Sequence, residues 1–391
     1  MEHFLKKTKG AEQALSKVEK RLDVKTLLFF FIPLGISASL VTFSDLIINS
    51  TLGRAGNSEF IIASYAIAMS LFEITERLAT LLRHTCSSLV RDKFSFNLMS
   101  KFTYYLIGCL MLIAFSVAYT PVGNFIFSTI YSAEPPMVNS IKGIYQVLIV
   151  VPFFSALRCL NQGVIIYNRQ TKWLTIGMGI RLAGMYLLSI YFIQTGNITG
   201  KTGAIIFLVG MMIESLISFI EARVLVRKMP EHHDQQIKSK QSIFKFYSPL
   251  MFSSVFVVMI GPVINVFLGQ TADIELAIAS YAIALSVAEI FLSFISYIHQ
   301  IVINFYTDHK TKVKGFSFIM GLLFFILLGI FCYTTVGPFF LEKVIGVRGN
   351  LLDASIQVLR VFMLMALLFP FIDFFSSAAR PKCKVSGTFI K

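Results

Sequence analysis

Apolar residues run along this chain in ten long blocks, near 26–50, 59–82, 103–126, 138–165, 173–195, 202–225, 244–269, 275–304, 314–337 and 352–376. Turn residues or charges bound each one. Blocks such as Thr26–Ile48 and Gly315–Thr335 reach the roughly 20 residues that carry a helix across a bilayer. A strand-built barrel would show short alternating segments, and none occurs. The pattern predicts an all-α polytopic membrane protein with ten crossings. Pro135-Pro136 and Gly196-Asn197 mark turns on one side, and the polar stretch Arg227–Gln241 reads as a flexible connection.

The blocks repeat. Pro33–Ile74 aligned with Pro249–Ile290 gives 19 identities in 42 positions without a gap, a spacing of 216 residues. The identities include Asn49/Asn265, Gly53/Gly269, Glu73/Glu289 and the run Ile62–Ala68 with Ile278–Ala284. Fixed-period similarity signals repeated architecture, and many transporters are two such halves around a central pathway. Each half enters from the same side, so the copies are expected to be parallel repeats. The expected organisation is an arm over 1–25, a six-helix lobe over 26–226, a linker over 227–243, a four-helix lobe over 244–376 and a tail over 377–391. The second copy stops where the first would begin its fifth helix. Ten crossings instead of twelve would suit a truncated or frameshifted relative, or a natural short form.

Composition strengthens the membrane reading. The chain is 55% hydrophobic and 14% charged, against about 25% charged in an ordinary soluble protein. The net charge of +14 could suggest nucleic acid, but its placement argues otherwise. Of 35 Lys and Arg, 26 fall in the arm, alternate connections and the tail, and only Arg54, Lys201, Lys343 and Arg348 lie in the opposite connections. That asymmetry places both termini in the cytoplasm by the positive-inside rule. The expected setting is a plasma (inner) membrane, with lipid as partner and no nucleic acid. The five cysteines are scattered without metal-ligand spacing, so neither a metal site nor a disulfide framework is expected. The polar arm leads into a full-length apolar block, which reads as a retained first helix rather than a cleaved leader.

Several segments carry a family resemblance. Ile32-Pro33-Leu34-Gly35-Ile36 followed by Asp45 and Asn49, and Phe246-Tyr247-Ser248-Pro249-Leu250 followed by Gly261-Pro262-Val263-Ile264-Asn265, resemble matching segments of the progressive ankylosis family. Ala63-Ser64-Tyr65 and Val151-Pro152-Phe153 with Gly163 also fit. That family belongs to the superfamily of multidrug and toxic compound extrusion (MATE) transporters and lipid-linked oligosaccharide flippases. The resemblance implies a two-lobed helical fold working by alternating access, with small anions as cargo. Where the family carries arginines before its second-half Pro-x-x-Asn motif, this chain has Val258, Ile260 and Gly261. The resemblance also implies a coupling residue on the first helix, for which Asp45 and Asn49 are the positional matches.

Ionisable groups at membrane depth are costly, so they usually face a bundle interior or an aqueous cavity. Glu73 and Glu289 occupy equivalent places in the two copies and are candidates for the transport pathway and ion coupling, since a carboxylate there can carry a proton. Glu73 could instead pair with Arg77 one turn on. Asp45 could face water at the outer interface, and Asn49 and Asn265 could cap helix ends or bond between helices. Arg158 and Arg181 lie at equal depth, roughly 12 Å from the short turn between their helices. They could share an anion by forked hydrogen bonds or snorkel to headgroups. Arg360 and Glu214 have no partner assigned from sequence. The Ala-Ser-Tyr-Ala-Ile-Ala repeat reads as close helix packing. No nucleophile elbow or zinc-protease motif occurs, so an enzyme is not expected. The expected function is secondary export of a small solute by a monomer without cofactor, coupled to protons or sodium, with anions among the candidate solutes. A lipid-linked saccharide flippase and a degenerate, non-transporting paralogue are the alternatives.

Overall fold

Capping chemistry sets where the helices begin. In the computed structural model, which describes residues 24–168, 170, 172–231, 240–295, 298, 301–302 and 310–378, helices and their connections make up those residues. Helix α1 spans Val24–Leu52, α2 Ser58–Leu89, α3 Lys93–Tyr119 and α4 Pro121–Phe125. A π-helical turn, π1, follows at Ile126–Ile130, then α5 at Pro135–Leu148, α6 at Val151–Tyr167, α7 at Lys172–Thr195 and α8 at Gly200–Lys228. The order continues with α9 at Lys240–Val258, α10 at Ile260–Leu268, α11 at Ile274–Ile295, α12 at Lys310–Tyr333, α13 at Val336–Phe340, a second π-turn, π2, at Leu341–Ile345, and α14 at Asn350–Ala378. The expected arm, the middle of the expected linker and nearly all of the expected tail lie outside the described residues.

Asn57 caps α2 by accepting from the Phe60 amide, and Asp92 opens α3 with a reciprocal capping box to Ser95. Proline in the first turn starts α4, α5 and α6, where its missing N–H would have had no partner anyway. The Asp92 cap starts α3 ten residues before the expected block at 103–126. The expected single block at 138–165 is two helices, because the chain breaks at Ile149–Val150 just before Pro152. Likewise 244–269 is interrupted at Met259, three residues before Pro262. A helical proline cannot donate to the preceding turn and crowds it. Both breaks thus follow from sequence already in view.

Nine stretches among the described residues are long and apolar enough to cross a membrane, with α5–α6 and α9–α10 each counted as one. Large apolar side chains project outward on these stretches: Phe256 is 77% exposed and Leu112 69%. Surface of this kind belongs in hydrocarbon, where each helix satisfies its own backbone. The protein is a multi-pass helical membrane protein.

The helices form two compact units. One comprises the described residues within 24–39, 290–329 and 363–378. It is held by aromatic packing of Phe31 on Phe316, with ring centroids 5.7 Å apart and edge-to-face, and of Phe294 on Phe324. Ser39 there donates to the Gly35 carbonyl and shares a 3.2 Å hydrogen bond with Ser293. The other unit comprises the described residues within 40–289 and 330–362. Its central helix is α2, which packs against α3, α5, α6, α8, α9 and α10. Gly163 of α6 lets that helix meet α2 closely: a Cβ there would stand 2.5 Å from that of Cys86. Small residues let helix backbones meet without a hydrophobic driving force from water.

Candidate functional site

Four helices of this second unit bring their polar residues to one space. From α1 come Asp45 and Asn49, from α2 Tyr65, Ser70 and Glu73, from α10 Asn265, and from α11 Tyr281, Ser286 and Glu289. They line a cavity of about 130 Å3 together with Ala66, Met69, Gly261, Ala282 and Leu285. Every lining residue has its counterpart 216 positions away also on the wall: Asp45 with Gly261, Asn49 with Asn265, Tyr65 with Tyr281, Ala66 with Ala282, Met69 with Leu285, Ser70 with Ser286, and Glu73 with Glu289. The two sequence copies thus present the same seven positions to one space. Asp45 opposite Gly261 is the one pair in which a charge faces none.

Among the described residues, the wall carries three carboxylates and no Lys, Arg or His. Asn49 and Asn265 are buried, whereas Glu73 and Glu289 keep access to the cavity. The Tyr65 hydroxyl and the Asn265 side-chain oxygen are buried without a hydrogen-bond partner among the described residues. An unpaired buried polar group costs about 1–3 kcal/mol, so the cavity suits an occupant that can hydrogen-bond. No three of His, Cys, Asp and Glu converge at metal-ligating distance among the described residues. Glu73 and Arg77 form no ion pair, because the five ion pairs of the described residues lie elsewhere.

A second cavity, of about 490 Å3, shares Asp45, Met69 and Glu73 with the first. Its wall is mixed in charge: Arg77, Arg83, His84, Arg158 and Arg181 stand with Glu76 and Glu214. Arg158 on α6 and Arg181 on α7 come together here, each already held by a carboxylate. Arg158 donates to Glu214 Oε2 at 2.8 Å and to Glu76 Oε1 at 3.2 Å, and Arg181 donates to the same Glu214 oxygen at 2.9 Å. Gln162 donates to the other Glu214 oxygen at 2.8 Å, and Ser155 donates to Glu76. All three of Arg158, Arg181 and Glu214 are buried. Arg158 and Arg181 therefore turn inward to protein carboxylates instead of reaching for headgroups. Two positive and two negative charges cancel, which is what lets the set remain at this depth.

Sequence reading passed over Glu76, Gln162 and the partnership of Glu214. A carboxylate one turn from Glu73, and the two unpaired arginines at equal depth, were the available signals. Tyr65 and Tyr281 belong to the repeated run that reads as packing, and Ser70 and Ser286 lie two residues beyond it; Ala63, Ile67 and Ala68 of that run are fully buried, while Tyr65 and Ala66 line the cavity. Arg360, also unassigned, lies over the Tyr333 ring at 4.8 Å.

No family model and no curated sequence matches the chain. Among solved structures, it is similar to a multidrug resistance MATE family transporter of the MOP superfamily in an inward-facing conformation, with a TM-score of 0.66 and 14% identity over 87% of this chain and 80% of that one. A second, a MOP superfamily transporter from Pyrococcus furiosus, aligns at a TM-score of 0.45 and 15% identity over 89% of this chain and 95% of that one. The first likeness shows the fold: a MATE-type arrangement of membrane helices.

Proposed function

We propose that this protein is a secondary transporter that exports a small solute by alternating access, with protons carried on Asp45, Glu73 and Glu289. The observation that carries the reading is the small cavity lined by paired positions of both sequence copies, holding three carboxylates and no basic group among the described residues. Coulomb repulsion and poor solvation disfavour three negative charges in one low-dielectric space, so protons or a cation must neutralise some of them. The scattered disposition of the carboxylates favours protons over one chelated metal ion. The adjoining cavity of about 490 Å3 has room for the solute, and Arg77, Arg83 and His84 on its wall give a negatively charged group on the solute a place to bind. Because Asp45 and Glu73 line both spaces, proton and solute sites share groups, the physical basis for exchange of one against the other. The MATE-type fold agrees with this reading.

The test is flux in proteoliposomes carrying an imposed pH gradient, read with a trapped pH dye while ethidium, citrate or pyrophosphate is added. Solute-dependent dissipation of the gradient is expected with the unaltered protein and is expected to vanish in Glu289→Gln and Glu73→Gln at unchanged folding. Flux that follows a sodium gradient and ignores pH would overturn the proton assignment. Undiminished pH-driven flux in both variants would remove the two glutamates from coupling.

A further inference from the structure

The repeated glycines Gly53 and Gly269 sit where α1 and α10 end, at the face opposite the Val24 end of α1. Their amides bond to the carbonyls of Asn49 and Asn265, at 2.8 and 2.9 Å. Each therefore lies one turn beyond an asparagine of the small cavity. A Cβ on Gly53 would stand 2.6 Å from the carbonyl oxygen of Ile345, the last residue of π2. A Cβ on Gly269 would collide with the carbonyl oxygen of Tyr131, the residue that closes π1. The contacts are reciprocal: the first copy's glycine rests on the second copy's π-turn, and the second copy's glycine on the first copy's. Only a residue without a side chain permits backbone to meet backbone this closely at both places.

Side chains reinforce one of the two contacts. Ser50 donates to the Val344 carbonyl at 2.6 Å, and Arg54 donates to the carbonyls of Lys343 at 3.1 Å and Ile345 at 3.4 Å. The last carbonyls of a helical turn lack partners within it and carry partial negative charge, so a guanidinium is a suitable clasp. Gly346, at φ 91°, leaves room for the Arg54 side chain that a Cβ would obstruct. The second copy has Val266 and Gln270 where the first has Ser50 and Arg54. The clasp is therefore one-sided. Tyr131 also reaches the cavity: its hydroxyl lies 3.4 Å from that of Ser70 on the cavity wall.

We infer that these contacts form a gate: the two π-turns, seated on Gly53 and Gly269 and clasped by Arg54, close the small cavity toward the face opposite Val24 and must part for that face to open. Alternating access requires such a closure to be breakable. Exposed hydrogen bonds from one arginine and one serine, backed by two bare backbone contacts, separate without stranding a buried charge. The Tyr131–Ser70 hydrogen bond ties the seat of the gate to the cavity wall, so occupancy of the cavity and closure of this face are mechanically joined. The inference deepens the transport reading, yet its test reads access to the cavity and not flux, so the two can fail separately.

The experiment places a reporter thiol at the cavity wall, through Ala282→Cys, in a background carrying Cys109→Ser and Cys383→Ser. A membrane-impermeant maleimide is applied from each side of oriented vesicles. The introduced thiol is expected to be protected from the side opposite the Val24 end of α1. Arg54→Ala is expected to raise its labelling from that side about tenfold, equivalent to about 1.4 kcal/mol, with no rise from the other side. Gly269→Val is expected to raise it further. Arg54 is exposed and outside the helices, so its replacement tests the gate even should Gly269→Val fail to fold. Unchanged labelling in Arg54→Ala would overturn the inference. An equal rise from both sides would do the same, because it would mean general loosening.

Discussion

Glu214 holds two arginines on one of its oxygens and a glutamine amide on the other, all from helices packed around it. Removing one partner of a buried pair typically costs about 3–5 kcal/mol, because the charge left behind is neither solvated nor compensated. Glu214→Ala strands Arg181 and leaves Arg158 with Glu76 alone, whereas Arg181→Met leaves Glu214 bound to Arg158 and Gln162. Thermal unfolding in detergent is expected to show a much larger loss for Glu214→Ala than for Arg181→Met; equal losses would mean that the shared carboxylate is not the keystone of the set. The reason this cluster was not legible in the sequence lies in its spacing. Its hydrogen-bonded partners on different helices are 33 to 82 positions apart, and helical periodicity says which residues share a face, not which face meets which helix. The acidic cavity was more legible, since Asp45, Asn49, Asn265, Glu73 and Glu289 stand out as polar or repeated within apolar blocks. What no periodicity could supply is that both copies turn the same seven positions to one space.

Among the helices, length and apolarity were readable from the apolar pattern, and the interruptions were readable only from the prolines. Both missed breaks precede prolines that the apolar pattern ignores, because a hydropathy window registers Pro152 and Pro262 as part of a continuous block. The helix interfaces are set by small residues whose importance depends on their neighbours. Gly163 and Gly108 look alike in sequence, both glycines inside apolar helices. A Cβ at Gly163 meets Cys86 and the Arg83 carbonyl, while one at Gly108 meets nothing within 4 Å. Overpacking of a tight contact costs about 1–3 kcal/mol, and replacing an unconstrained helical glycine by alanine favours the helix by about 0.5–1 kcal/mol. Gly163→Val is therefore expected to lower the unfolding temperature in detergent, and Gly108→Ala to leave it unchanged or raise it. The opposite order would show that α2 and α6 do not need their backbones in contact.

For the molecule as a whole, the outward apolar faces demand a bilayer, and the basic residues decide which way the chain lies in it. Helix α8 is the clearest gauge. The turn ahead of it, at Gly196-Asn197, has few charges nearby, while its far end carries Arg223, Arg227 and Lys228. Its 29 residues span about 44 Å, enough to put those ends on opposite sides of a hydrocarbon layer of about 30 Å. Lys and Arg near the ends of a span are retained in the cytoplasm, so the Arg227 end is expected inside and the Asn197 turn outside. With Cys109→Ser and Cys383→Ser in place, Asn197→Cys is expected to react with an impermeant maleimide on intact cells, and Glu231→Cys only after permeabilisation. Both positions are exposed and neither joins an ion pair among the described residues, so the labels report topology without disturbing the fold. A reversed pattern would invert the protein and with it the direction of the proposed export. The gate at Gly53 and Gly269 would then close the cytoplasmic side, and the acidic cavity would load its protons from the opposite compartment.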